Sequence, residues 1–219
     1  MDSGVIGLAR PRKGHFDLGT GFHGDVWLDL DALFLRPSLL RPHIGLLGDR
    51  LREHRIDAVC GPLEGGAFLA HAIADRLEVA FLPAYRAQAG PRGNAPAYRL
   101  PDIPDGIAEW RVAIADDAVN AGTAVRACAD LLRRRAAVPV AVAALLSLGP
   151  ASATVAEAIS VPLYTAGQIQ SQAWPAAQCP LCAGDIPFTD PNGSLGHEMM
   201  QHGPRTRENE PHARLEVAQ

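Results

Sequence analysis

The sequence predicts an α/β fold: a mostly parallel sheet flanked by helices, with a small N-terminal appendage. Three observations carry that expectation. Compact apolar runs recur at 56–60, 79–82, 111–115, 138–148 and 161–164. Stripes with helical spacing fall between several of them, and most connections are short. A chain that alternates in this way builds parallel strands with helices packed on both faces.

The elements follow in chain order. Residues 14–34 open with three glycines in eight positions, then alternate, with Val26, Leu28 and Leu30 on one side and Trp27, Asp29 and Asp31 on the other. That period of two marks a half-buried strand. Pro37 breaks the chain, and Ile44, Leu47 and Leu51 then recur at helical spacing up to His54. The run at 56–60 closes on a Gly-rich turn, and Leu69, Ile73 and Leu77 form a second helical stripe that reads as core packing. The run at 111–115 leads through a small-residue loop into a helix over 124–135. Residues 1–35 are assigned to the appendage and 36–194 to the α/β domain, closing CPLC segment included. From 195 to 219 the chain is polar and reads as a disordered tail.

Composition narrows the function. The chain has 219 residues, 47% hydrophobic and 20% charged, an ordinary globular balance. Its formal charge of -4 gives no general attraction to a phosphate backbone, and 5% aromatic content leaves little for base stacking. No apolar run reaches membrane-spanning length, the first residues lack signal-peptide order, and four cysteines are too few for a disulfide scaffold. These features predict a cytoplasmic protein that binds neither nucleic acid nor membrane.

The chemistry concentrates where the run at 112–115 meets Asp116, Asp117, Ala118, Val119, Asn120, Ala121, Gly122, Thr123 and Ala124. Ligands of open α/β sheets bind at the C-terminal ends of strands. Small residues let backbone N–H groups approach an anion, and the following helix adds its positive end. Two carboxylates would repel a bare phosphate, but they accept hydrogen bonds from sugar hydroxyls. The ligand so deduced is a phosphorylated sugar of the ribose 5-phosphate kind; the bland alternative is an aspartate that caps a helix.

This segment resembles the phosphoribosyl-diphosphate motif of type I phosphoribosyltransferases, and DDAVNAGTAVRA is most like the orotate branch. GHFDLGTGFH is similar to that family's hood, DAVCGPLEGGAFLAHAIADRL to its pyrophosphate-loop region, and WPAAQCPLCAGDIPFTDPNGS to the closing segment of many bacterial members. The resemblance spans about 13–195. It implies transfer of a phosphoribosyl group to orotate, giving orotidine 5'-monophosphate and pyrophosphate in pyrimidine biosynthesis, with Mg2+ and a homodimer. By position, Asp116 and Asp117 would hold the ribose hydroxyls and Asn120 to Ala124 would wrap the 5-phosphate, with Ala118 and Val119 also counted as substrate-binding. Gly61, Pro62, Glu64, Gly65 and Gly66 would hold the diphosphate. The family's basic loop, which closes over the neighbouring subunit's site, corresponds to 86–99, where Arg86 and Arg92 would act in catalysis beside Arg99. Two departures stand out. Lys13 is the only lysine, so that loop has none, and 145–150 lacks the family's base-binding arginine. They leave open another base, or a non-catalytic regulatory binder of phosphoribosyl diphosphate.

Other motifs carry less. Cys179 and Cys182 have zinc-knuckle spacing without a second such pair, so no metal ligand is assigned; tail histidines or a partner chain are the alternative donors. Cys60 and Cys128 read as small core residues. His197 and His202 are five apart, which a metalloprotease helix does not allow. His15 and His23 are assigned structural roles in the hood.

Overall fold

Each apolar run becomes a strand whose alternate residues serve two separate cores. A computed structural model describes residues 4–19, 21–87 and 97–191, and every element below lies in the compact unit that ends at Thr189. The chain opens with α1 (Val5–Leu8), β1 (Arg12–Asp17), β2 (Phe22–Trp27) and a 3-10 turn at Asp31–Leu33. It continues through α2 (Pro37–Arg52), β3 (Ala58–Pro62), α3 (Gly65–Leu77), β4 (Ala80–Ala87) and β5 (Ala97–Arg99). Next come β6 (Arg111–Val119), α4 (Thr123–Arg134), β7 (Val138–Leu148), α5 (Ala151–Ile159) and β8 (Leu163–Ile169). It closes with β9 (Ala173–Pro175), a second 3-10 turn (Ala176–Gln178) and α6 (Pro180–Ala183).

Six strands form the main sheet in the order β5-β4-β3-β6-β7-β8, parallel except for the edge strand β5. On one face Val59, Ala113, Ala115 and Leu145 pack with Leu47, Leu51, Leu69 and Ile73 from α2 and α3. On the other Cys60, Ile114, Val142 and Ala144 pack with Val125, Cys128, Leu132 and Val155 from α4 and α5. The buried middles of β3, β6 and β7 are therefore apolar on both faces and lack the polar face of a half-exposed sheet. Full burial of one such Leu or Ile contributes about 1.5–3 kcal/mol.

The topology fixes the place for a ligand. From β3 the chain moves outward to β4, then returns to β6 on the other side of β3. The connections leave β3 and β6 in opposite directions, which opens a crevice at the carboxyl ends of these two strands.

Several boundaries differ from the expectation. β6 runs to Val119 instead of stopping at 115, because the eleven-residue β7 keeps pairing with it, Asp116 opposite Ala144 and Val119 opposite Ser147. The strand read through Leu30 stops at Trp27, where the Asp29 carboxylate accepts the Ala32 N–H and turns the chain. The 86–99 stretch is not all loop, since Tyr85, Arg86 and Ala87 pair with 97–99 in a hairpin. α5 was not anticipated; its alanine-rich sequence gives a weak period. The hood extends beyond residues 1–35: β1 and β2 form an antiparallel pair, and β9 is its third strand, with His23 opposite Trp174.

Candidate active site

The acidic pair sits at the crevice because β6 carries it there. Asp116 is only 8% exposed, and its Oδ1 accepts the Asp117 N–H at 3.1 Å, while Asp117 Oδ1 accepts the Ala118 N–H at 2.7 Å. Both carboxylates lie against the start of α3. A Cβ on Gly66 would stand 2.8 Å from both Asp116 Oδ1 and the Ala115 carbonyl, and one on Gly65 would collide with the Asp117 carboxylate. These glycines are required by close approach, with no unusual φ at either. Burial pushes Asp116 well above the usual carboxylate range and the neighbouring Asp117 charge pushes further, although the Asp117 N–H opposes both. Burial also raises Asp117, against the Ala118 N–H. Such a pair is relieved by donors, and a vicinal diol offers two.

A pocket of about 480 Å³ opens beside Asp116, lined by Ala118, Asn120, Ala121, Gly122, Thr123 and Ala124. Its far wall is Leu18, Phe22 and Ala173, from the β1–β2 turn, β2 and β9. Gly122 caps α4 in the left-handed region at φ 66°, and any Cβ there would meet Val155. The first N–H groups of a helix have no partner within it, so the 12-residue α4 presents free donors and its positive end to this pocket. A larger cleft of about 690 Å³ shares Asn120 and is lined by Lys13, Asp25, Gln170, Gln172 and Trp174 among others.

Strand β3 delivers the second loop. Gly61 and Pro62 are buried strand residues, and a Cβ on Gly61 would strike the Gly66 backbone and Ala70. Beyond them the cis-linked Leu63 and Glu64 reach the surface before α3 begins. The two sequence-predicted loops therefore meet at the same crevice.

No family model matches the chain. Among curated proteins, an orotate phosphoribosyltransferase from Caldanaerobacter subterraneus subsp. tengcongensis is 28% identical over 180 residues, 82% of this chain and 88% of that protein. An adenine phosphoribosyltransferase from Thermobifida fusca is 32% identical over 143 residues, 58% of this chain and 77% of that protein. The chain belongs to the type I phosphoribosyltransferases. Solved structures share the fold. An adenine enzyme from Thermoanaerobacter pseudethanolicus gives a TM-score of 0.60 at 16% identity, covering 75% of this chain and 98% of that one. An orotate enzyme from Aeropyrum pernix gives 0.60 at 22%, covering 75% and 89%.

Not every residue assigned from the sequence of this phosphoribosyltransferase faces the pocket. Val119 is 1% exposed and its side chain belongs to the α4-side core, which leaves its backbone for a ligand. Arg86 is an exposed residue of β4 opposite Tyr98, and Arg99 stacks over Tyr85 at 4.9 Å. Arg92, His197 and His202 lie outside the described residues. Sequence reasoning missed the hood wall of Leu18, Phe22 and Ala173, and it gave Lys13 no site; strand pairing across more than 150 positions leaves no local signal. It also assigned no metal ligand, yet the fold gathers His15, His23, Cys179 and Cys182, with their donor atoms all within 4.8 Å of one another. Among the described residues the two further donors beside the cysteines belong to β1 and β2, while the tail histidines His197 and His202 lie outside the described residues. Cys60 and Cys128 are buried in the core as expected, and a hydrogen bond with Cys60 helps push the Cys128 thiol up.

Proposed function

We propose that this phosphoribosyltransferase moves the phosphoribosyl group of 5-phosphoribosyl 1-diphosphate onto orotate, releasing pyrophosphate. One observation carries the choice of base: the likeness to orotate relatives runs over 82% of the chain, against 58% for the adenine relative. Lys13 supports it as the only cationic side chain among the described residues lining the 690 Å³ cleft, where it would meet the orotate carboxylate.

In this reading Asp116 and Asp117 accept hydrogen bonds from the ribose hydroxyls, and the turn at 120–122 with the α4 N-terminus at Thr123 and Ala124 holds the 5-phosphate. The turn from Gly61 to Gly66 holds the diphosphate. A base nitrogen, its proton passing to solvent, then bonds to the anomeric carbon as the carbon–oxygen bond to pyrophosphate breaks. Positive charge on the sugar ring is stabilised by the acidic pair beneath it. The donor set suits magnesium, a hard ion that takes carboxylate, hydroxyl and phosphate oxygens; Asp116 and Asp117 would hold it together with donor oxygens. Held there, magnesium would add positive charge beside the leaving pyrophosphate. On the family resemblance alone, we place the reaction in the cytoplasm and in a homodimer. Among the described residues no helix is long and apolar enough to cross a membrane, and Leu39 and Phe68 expose apolar surface on α2 and α3.

Adenine is the second reading, favoured by the 32% identity to the Thermobifida enzyme. The test mixes protein, Mg2+ and phosphoribosyl diphosphate with orotate or adenine, following base absorbance and pyrophosphate together. We expect coupled loss with orotate, and Lys13→Ala should raise its KM roughly ten- to a hundredfold, the worth of one charged hydrogen bond. Turnover with adenine alone would replace orotate. Donor binding without turnover of any base would make the chain a regulatory binder.

A further inference from the structure

We propose that His15, His23, Cys179 and Cys182 bind a structural zinc ion that joins the two ends of the chain within the hood. Four of the six donor–donor distances match a tetrahedral site, and all six fall within 4.8 Å. Metal bonds of about 2.3 Å to sulfur and 2.0–2.1 Å to nitrogen, at tetrahedral angles, place two nitrogens about 3.3 Å apart and nitrogen from sulfur about 3.6 Å. His15 Nε2 lies 3.3 Å from His23 Nδ1, 3.5 Å from Cys179 Sγ and 3.6 Å from Cys182 Sγ. His23 Nδ1 lies 3.2 Å from Cys182 Sγ.

The tautomer fits as well. His15 Nδ1 is 2.7 Å from the Ile186 carbonyl, which only accepts, so Nδ1 carries the proton and Nε2 turns a lone pair toward the other three donors. A backbone carbonyl behind a ligating imidazole is the usual support of a metal site. His15 is buried at 1% exposure, and the Thr189 hydroxyl accepts its backbone N–H while the Thr189 N–H donates to its carbonyl. Two thiolates and two imidazoles in a closed tetrahedron select zinc over oxygen-loving cations.

The segment also needs such a tie. From Ala173 to Pro191 the only buried residue is Cys179, and α6 buries nothing. A stretch without a core of its own is held in small domains by metal or disulfide. Zinc here would pin α6 and β9 to the β1–β2 hairpin, and so fix Ala173, Leu18 and Phe22 as the hood wall of the pocket. The proposal does not depend on which base is transferred.

The test is metal content. Full-length protein grown with zinc and purified under reductant should carry about one zinc per chain. Cobalt in its place should give the ligand-field bands and thiolate charge-transfer absorption of a tetrahedral Co(II) site. The Cys179→Ser, Cys182→Ser double variant should bind neither metal. In case that variant fails to fold, His23→Asn should surrender zinc to a chelator at least about tenfold faster than the parent. The proposal is overturned if reduced parent protein, with free thiols verified by titration, takes up neither zinc nor cobalt. It is equally overturned if the double variant binds both as the parent does, or if His23→Asn releases zinc at the parental rate.

Discussion

Asp116 is held where a carboxylate is least comfortable without a partner, walled in by Gly66, the Ala115 carbonyl and Asp117. Its pKa is raised by burial in the folded chain, so the folded state keeps the proton to higher pH than the unfolded state does. Stability in the absence of substrate therefore falls as pH rises from the ordinary carboxylate value, about 4, through the raised one. Asp116→Asn keeps the oxygen that accepts the Asp117 N–H and removes the charge. Thermal melts across this pH range should show the variant more stable than the parent at neutral pH, with the two converging near pH 4. Each kcal/mol relieved should raise Tm by about 2–4 °C. A variant less stable than the parent at neutral pH would mean that the charge is already compensated. Activity should move the opposite way. Losing charge-assisted bonds to the ribose, worth about 1.5–3 kcal/mol each, should lower kcat/KM by about a hundredfold or more in the Asp116→Asn, Asp117→Asn double variant. Pyrophosphate release at the parental rate there would exclude the acidic pair from donor binding. This pair was legible in the sequence because strand, acids, small loop and helix are contiguous. Lys13 was not, since its place beside Asn120 depends on where the hood folds.

Helix α4 presents its N-terminus to the pocket through one residue. Gly122 sits at φ 66° with Val155 of α5 where a side chain would begin. Gly122→Ala meets two penalties, about 1–2 kcal/mol for the left-handed backbone and about 1–3 kcal/mol for the clash. Denaturant melts should show about 2–5 kcal/mol lost, and the donor KM should rise as the loop shifts. Adding Val155→Ala should recover the clash component of the loss of stability but not the backbone component; full recovery would show that the φ is not strained. Helix α4 was readable because Val125, Cys128, Ala129 and Leu132 mark one buried face. Its neighbour α5 was not, because alanine and threonine fill most of its positions. The pairing that extends β6 past Asp116 was also hidden, since it depends on the length of β7, a different stretch of chain.

At the scale of the whole molecule, two ends of one sequence build a single sheet over the pocket. The sequence placed a hood before about residue 35 but not its third strand, because a three-residue strand such as β9 has no period of its own. Ending the chain at Gln172 removes β9 and both ligating cysteines while leaving the six-stranded sheet whole. Limited proteolysis with mass analysis should then cut first within 4–35 while 37–87 and 97–169 stay protected. Equal protection of both regions would show that the hood stands without β9. If the homodimer forms, light scattering should return twice the 23.2 kDa of one chain.

The pairing of His23 with Trp174 also has a consequence for biosynthesis. A ribosome adding 5–20 residues each second needs about 8–30 s to cover the roughly 150 positions between them. Throughout that interval β1 and β2 are made without their third strand, and the main sheet gains its strands one after another, β8 last. The roof over the pocket is therefore laid last, and a stalled or shortened chain would leave the ribosome with an open, unroofed core.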